Sequence, residues 1–104
     1  MKNIRKFYGE VTVRVNNLNY EDYFYEFTVE YYKTLNEFNK TKNNKFGIEL
    51  IKKIKIEKNE IIERKEINNF LDSEEKADKL LEILKRNKVT PISVEEVIND
   101  LQFK

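Results

Sequence analysis

Tyr20-Glu21-Asp22-Tyr23-Phe24-Tyr25-Glu26-Phe27-Thr28-Val29-Glu30-Tyr31-Tyr32 is the stretch whose reading decides the fold. From Tyr23 to Tyr31 the odd positions are all aromatic or apolar, while the even ones alternate acids with Phe24, Thr28 and Tyr32. Successive side chains leave a strand on opposite faces, so period two marks a half-buried β-strand. Tyr23, Tyr25, Phe27, Val29 and Tyr31 are therefore expected to floor a core, with their hydroxyls reaching its edge for hydrogen bonds. Phe24 and Tyr32 fall on the polar face. There they either pair across strands with Ile51 and the stems of Lys53 and Lys55, or form a surface for a partner or a second copy. Phe24, Tyr32, Lys53 and Lys55 are the candidate partner-contact residues.

Working outward, residues 6–15 read as the preceding strand, with Val11, Val13 and Val15 on one face and Thr12 and Arg14 on the other. Asn16-Asn17-Leu18-Asn19 links the two strands as an Asn-rich turn. After the aromatic run, residues 34–39 have the composition of a short helical turn and residues 40–45 that of a polar loop. Residues 46–57 form a third strand: Phe46, Ile48, Leu50, Ile54 and Ile56 share one face, interrupted by Lys52, and the other face is mostly charged. Lys58-Asn59 reverses the chain into a fourth strand over residues 60–67. Adjacent Ile61 and Ile62 leave its inward face open. Short links between successive strands favour an antiparallel meander, whose first and fourth strands are edges.

Two helices follow, over residues 72–88 and 93–102. Asp72 or Ser73 caps the first, and Glu75 stands three residues after Asp72, as a capping box requires. Ala77, Leu80, Leu81 and Leu84 recur at i, i+3, i+4 and i+7, one apolar stripe. Lys85, Arg86 and Lys88 close it, where cations complement the helix dipole. Ser93 and Glu96 form a second capping box, ahead of the stripe Val94, Val97, Ile98 and Leu101. The expected fold is a single α+β domain over residues 1–104, in two layers. Its sheet, residues 4–68, is a four-stranded antiparallel meander with two C-terminal amphipathic helices on one face.

Composition excludes more than it suggests. The 104 residues hold no histidine and no cysteine, so the commonest general base and the thiolate metal ligands are both missing. Two glycines cannot assemble a phosphate loop. No catalytic, cofactor-binding or metal-binding residue is assigned, and an enzyme is not expected. No segment approaches the roughly 20 apolar residues of a membrane helix. The basic N-terminus is followed by no apolar stretch of a secretory signal, so a cytoplasmic protein is expected. Twenty basic residues against nineteen acidic ones argue against a general polyanion binder.

Charge is nevertheless segregated. The aromatic strand carries four acids and no base, whereas residues 33–58 carry eight lysines against three glutamates. Paired strands would set acids opposite lysines, which helps fix register. Residues 80–98 resemble the first two helices of a winged helix. The face Glu95, Glu96, Asn99 and Asp100 is acidic, however, and wrong for DNA.

Gly47-Ile48-Glu49, Asn68-Asn69-Phe70 and Val89-Thr90-Pro91, leading into Val94-Glu95-Glu96-Val97-Ile98-Asn99-Asp100, carry a resemblance. Across residues 46–101 the chain resembles a family of small uncharacterised bacterial proteins, of unknown function, best known from spore-forming anaerobes. The resemblance implies a cytoplasmic α+β protein, brings no active-site residue with it, and leaves out the aromatic run. The expectation is a protein-binding or regulatory module acting on a protein partner or as a homodimer, through the exposed sheet face or an edge strand. The alternatives are nucleic-acid binding through the Lys-rich segment 40–58 and an inhibitor encoded on a mobile element.

Overall fold

The computed structural model describes residues 4–16, 24–36, 45–56 and 58–101. Strands β1 (Ile4–Asn16), β2 (Phe24–Leu35), β3 (Phe46–Ile56) and β4 (Asn59–Leu71) precede helices α1 (Glu74–Arg86) and α2 (Val94–Leu101). The sheet order is β1-β2-β3-β4 and every neighbouring pair is antiparallel. This is the α+β meander that the alternation and short links dictate, with β1 and β4 as its edges. Tyr20 to Tyr23, most of the Asn-rich turn and residues 37–44 lie outside the described residues.

Register assigns the faces. Val29 pairs with Val11 and Lys52, and Tyr31 with Gly9 and Leu50, all on the side that receives the helices. There Val29, Tyr31, Ile48, Leu50 and Leu71 meet the α1 stripe Ala77, Leu80, Leu81 and Leu84, with Val94 and Ile98 of α2. Phe27 packs against this cluster from its margin. Lys33 of β2 anchors α1, its Nζ 2.6 Å from Glu74 Oε2 and 2.8 Å from Asp78 Oδ1. The Tyr31 hydroxyl donates to the Val89 carbonyl at 2.7 Å inside the core, and burial raises its pKa. Tyr31→Phe leaves that carbonyl without its donor. The expected cost is about 1–2 kcal/mol in urea denaturation, with an unchanged m-value.

The helix ends differ in detail from the expected caps. Ser73 is the α1 cap: its Oγ accepts from the Lys76 amide at 3.2 Å, so the third helical residue is Lys76, not an acid. Asp72 instead pairs with the Lys76 ammonium at 3.0 Å. At the other end Lys88 adopts a left-handed φ of 56°. Its amide donates to the Lys85 carbonyl and that of Val89 to the Leu84 carbonyl, which is the Schellman closure with a lysine where glycine is usual. Ser93 Oγ lies 3.2 Å from Thr90 Oγ1, so this hydroxyl is engaged with the turn before α2.

Three strand expectations are corrected. Thr34 and Leu35 continue β2 rather than opening a helical turn, because Thr34 pairs with Gly47 and Leu35 with Phe46. β4 runs on to Leu71, past the expected end at residue 67. Phe46 pairs with Leu71 but Ile48 with Ile67, so β4 bulges between them, with Asn69 at φ 57°. The third correction concerns coverage. Thirteen strand residues span about 43 Å, against about 20 Å for the 13-residue α1 and about 12 Å for the eight-residue α2. The helices therefore cover one end of the sheet. Tyr25, expected in the core, lies at the other end with Val13, Val15, Ile54, Ile56 and Ile61, half-buried or exposed and outside the core cluster. Ile61 pairs with Ile54 on the helix side and Ile62 with Lys53 on the open side, which settles the face of β4.

Candidate functional site

The open face, turned away from the helices, is bound together by charge. Glu49 sits on β3 and is only 1% exposed. Arg5 of β1 donates to its Oε1 at 2.9 Å, and Arg64 of β4 donates to its Oε2. One carboxylate thus ties both edge strands to the centre. Burial alone would raise the Glu49 carboxyl, but the hydrogen bonds and charges of Arg64 and Arg5 outweigh it and hold the group below its ordinary value. The sequence marks this face only as mostly charged. Ile51 beside Glu49 is also buried, at 7% exposure.

Tyr32 completes this cluster. The Arg5 guanidinium lies 4.3 Å from its ring centroid, and Phe7 meets it edge-on at 5.5 Å and 71°. Phe7 has the parity of Val11, yet it faces the other way. The cause is a bulge: Phe7 pairs with Tyr32 and Gly9 with Tyr31, leaving Tyr8 as an extra residue. Tyr8 turns to the helix side and donates to Glu82 Oε1 of α1 at 2.7 Å, with Lys85 Nζ above its ring.

Farther along the face, Glu30 accepts from the Tyr32 hydroxyl at 2.8 Å and from Lys53 at 3.2 Å. Glu10, Glu26, Thr28, Glu30, Lys53, Lys55 and Glu60 surround a shallow depression in which four acids face two lysines. Among the described residues no three carboxylates gather as a metal site, and no helix is long and apolar enough to cross a membrane.

The two edges contrast. β4 alternates charge along its length with Glu60, Glu63, Arg64, Lys65 and Glu66, the usual defence of an exposed strand. Beyond its bulge, β1 reads Glu10-Val11-Thr12-Val13-Arg14-Val15, largely β-branched and guarded by one charge of each sign. Arg14 bonds Glu26 at 3.0 Å. Glu10 faces Glu30 across the ladder, and among the described residues no cation or hydrogen-bond donor meets its carboxylate. Like charges directly opposite in a sheet destabilise it.

A sequence profile of a family of unknown function, DUF6514, matches residues 10–103. The chain belongs to the DUF6514 family. No curated protein and no solved structure matches it. In this DUF6514 chain the match takes in the aromatic run, which the resemblance left out. It also takes in Glu10, Arg14, Glu49 and Arg64 and stops short of Arg5 and Phe7.

Of the four candidate contact residues of the DUF6514 chain, Tyr32, Lys53 and Lys55 are dispersed over the open face. Tyr32 lies between Phe7 and Glu49 in register, not beside Ile51, which pairs with Glu30 and Arg64. Lys53 pairs with Thr28 and Ile62 and reaches Glu30 diagonally, so the acid–lysine complement between β2 and β3 is offset rather than direct. Lys55 is exposed opposite Glu60. Phe24 pairs with Asn16 at the start of β2, and its side chain lies outside the described residues. Within the Lys-rich segment, residues 40–44 also lie outside. Lys52 sits 3.7 Å from Glu63 and over the Phe27 ring. The Glu49 bridge was not expected from the sequence, and β1 was expected as an edge without being told apart from β4. The first depends on a cross-strand register that no local pattern carries. The second distinction is visible as Glu10 and Arg14 bracketing Val11-Thr12-Val13.

Proposed function

We propose that this DUF6514 protein is a non-enzymatic, protein-binding module of regulatory character that accepts an extended strand of its partner on the β1 edge. The contrast between the two edges carries this reading. β4 is defended by charge on both faces, whereas residues 10–15 of β1 present β-branched side chains beside the uncovered end of the sheet. An edge strand offers a row of backbone donors and acceptors for main-chain recognition, and side chains on alternate faces supply selectivity. The open-face residues Tyr32 and Lys53 serve this reading by holding β1 to β2 and β2 to β3, not by meeting the partner. A cytoplasmic setting in a bacterium goes with it, consistent with a chain free of cysteine.

The test is selection of displayed random peptides on the folded protein, followed by amide chemical-shift mapping. Expected are extended, alternating peptides whose shifts centre on residues 9–15 of β1. Shifts centred on β4 or α2, or no selected peptide, would contradict the reading.

A further inference from the structure

We infer that the strand taken up by β1 is the β1 of a second copy, in an antiparallel register centred on Thr12. The inference rests on the reading of β1 as the binding edge and names its occupant. The segment Glu10-Val11-Thr12-Val13-Arg14 is complementary to its own reverse. When two copies pair about a two-fold axis through Thr12, Thr12 meets Thr12 and Val11 meets Val13 of the second copy. Glu10 then meets Arg14 of the second copy, and both contacts occur twice.

Faces agree as well as sequence. Glu10, Thr12 and Arg14 share the open face with Glu30, Thr28 and Glu26, while Val11 and Val13 share the helix side with Val29 and Phe27. A two-fold axis normal to the sheet keeps each set on its own side. It joins the two sheets into eight strands with both helix pairs on the same face. Shifting the register by one residue along one strand would centre the pair between side chains and oppose the two faces, so only registers that keep the alternation survive.

The unmet charge of Glu10 points to the same occupant. Within one copy this carboxylate faces Glu30 and meets no cation among the described residues. In the dimer the Arg14 guanidinium of the second copy stands opposite it. Arg14 keeps its own Glu26 on the other side, since a guanidinium has five donors and can serve two carboxylates. Centring on Val13 instead would oppose Thr12 to Arg14 and leave Glu10 facing Asn16, without a cation. Seven paired residues, Gly9 through Val15, bury less than the roughly 1,600 Å² of a standard stable interface. The dimer is therefore expected to dissociate on dilution.

Sedimentation velocity across a concentration series tests this with charge reversals. The parent is expected to shift from monomer towards dimer as concentration rises. Glu10→Arg and Arg14→Glu alone each set like charges opposite each other twice, and each is expected to weaken dimerisation by about tenfold or more. Mixed in equal amounts, the two variants regain both opposite-charge pairs and are expected to form a heterodimer. Glu10→Arg removes the Glu10–Glu30 opposition and carries no folding cost of that kind. Arg14→Glu loses the Glu26 ion pair and sets a like charge opposite Glu26, so circular dichroism checks its fold before mixing, and the cost on this exposed strand is expected to be small. A parent that stays monomeric at the highest attainable concentration overturns the inference, as does a dimer indifferent to both reversals or a mixture that fails to associate. A monomer that still binds displayed peptides along residues 9–15 overturns the second copy alone. Failure of those peptides beside an intact charge-swap cycle upholds it.

Discussion

Gly47→Ala is expected to lose about 3 kcal/mol or more of stability, placing it among the most damaging single-methyl substitutions in the chain. A methyl group at this position would lie 2.2 Å from the Ile67 carbonyl oxygen, 2.8 Å from Thr34 Oγ1 and 2.9 Å from Asn68 Cα. Two of these are backbone atoms of β4 at its bulge, where Asn69 already holds a left-handed conformation, so the backbone itself must shift. Thr34, 2% exposed, is equally confined. At about 4–8 °C per kcal/mol for a chain of this size, the melting temperature should fall by more than about 12 °C. Gly9→Ala supplies the control. Its methyl would meet only the flexible Lys85 side chain, at 3.1 Å, and the melting temperature should move by a few degrees at most. Equal, small effects at both positions would show that β4 does not press on β3 as described.

Removing both guanidinium groups from Glu49, in Arg5→Met/Arg64→Met, is expected to reverse the sign of the protein's response to mild acid. In the parent the Glu49 carboxyl lies below its ordinary value. Its contribution to stability is therefore complete above the unfolded-state pKa and is lost as pH falls through the lower, folded value. In the double variant burial acts unopposed and raises the folded pKa above the unfolded one. The penalty then appears as pH rises through that folded value and is relieved below it. At neutral pH the stranded carboxylate should cost about 3 kcal/mol, the low end for an uncompensated buried charge, because the open face admits water once the guanidinium groups are gone. Urea denaturation from about pH 7 to about pH 5 should show the double variant gaining stability over a range where the parent does not. Arg5→Met/Arg64→Met/Glu49→Met should recover much of the loss and flatten this part of the profile. A double variant that parallels the parent across the range would show that Glu49 is not held by these two residues.

How much of this was legible beforehand follows from which forces are local. The strand at residues 24–32, the stripe Ala77, Leu80, Leu81 and Leu84 and the polarity of α2 are period effects carried by consecutive residues, and they place Val29, Tyr31 and the α1 stripe in the core. The bulges at Tyr8 and at residues 68–70 are not. Each inserts residues without changing local composition. The two extra residues at 68–70 leave Ile67 and Leu71 on the same face, but the single one at Tyr8 reverses the face of what precedes it. Phe7 therefore leaves the side of Val11 for that of Tyr32. Glu49 looked like one more solvated acid because its burial comes from Arg5 and Arg64, 44 and 15 residues away in the chain. Tyr25 was assigned to the core because alternation reports a face, not whether a helix is long enough to cover it. The self-complementary segment on β1 was present in plain view. Its meaning depends on knowing that β1 is an edge, that residues 10–16 lie beyond the bulge, and that Glu10 faces Glu30.

Amide hydrogen exchange resolved by residue, compared between dilute and concentrated protein, tests the central claim most directly. In an edge strand, alternate N–H groups point away from the sheet and exchange with solvent. If β1 is the binding edge and a second copy fills it, protection of the outward amides within residues 9–15 rises with concentration, while the outward amides of β4 stay unchanged. Protection independent of concentration along β1, or protection that grows along β4 instead, would contradict it.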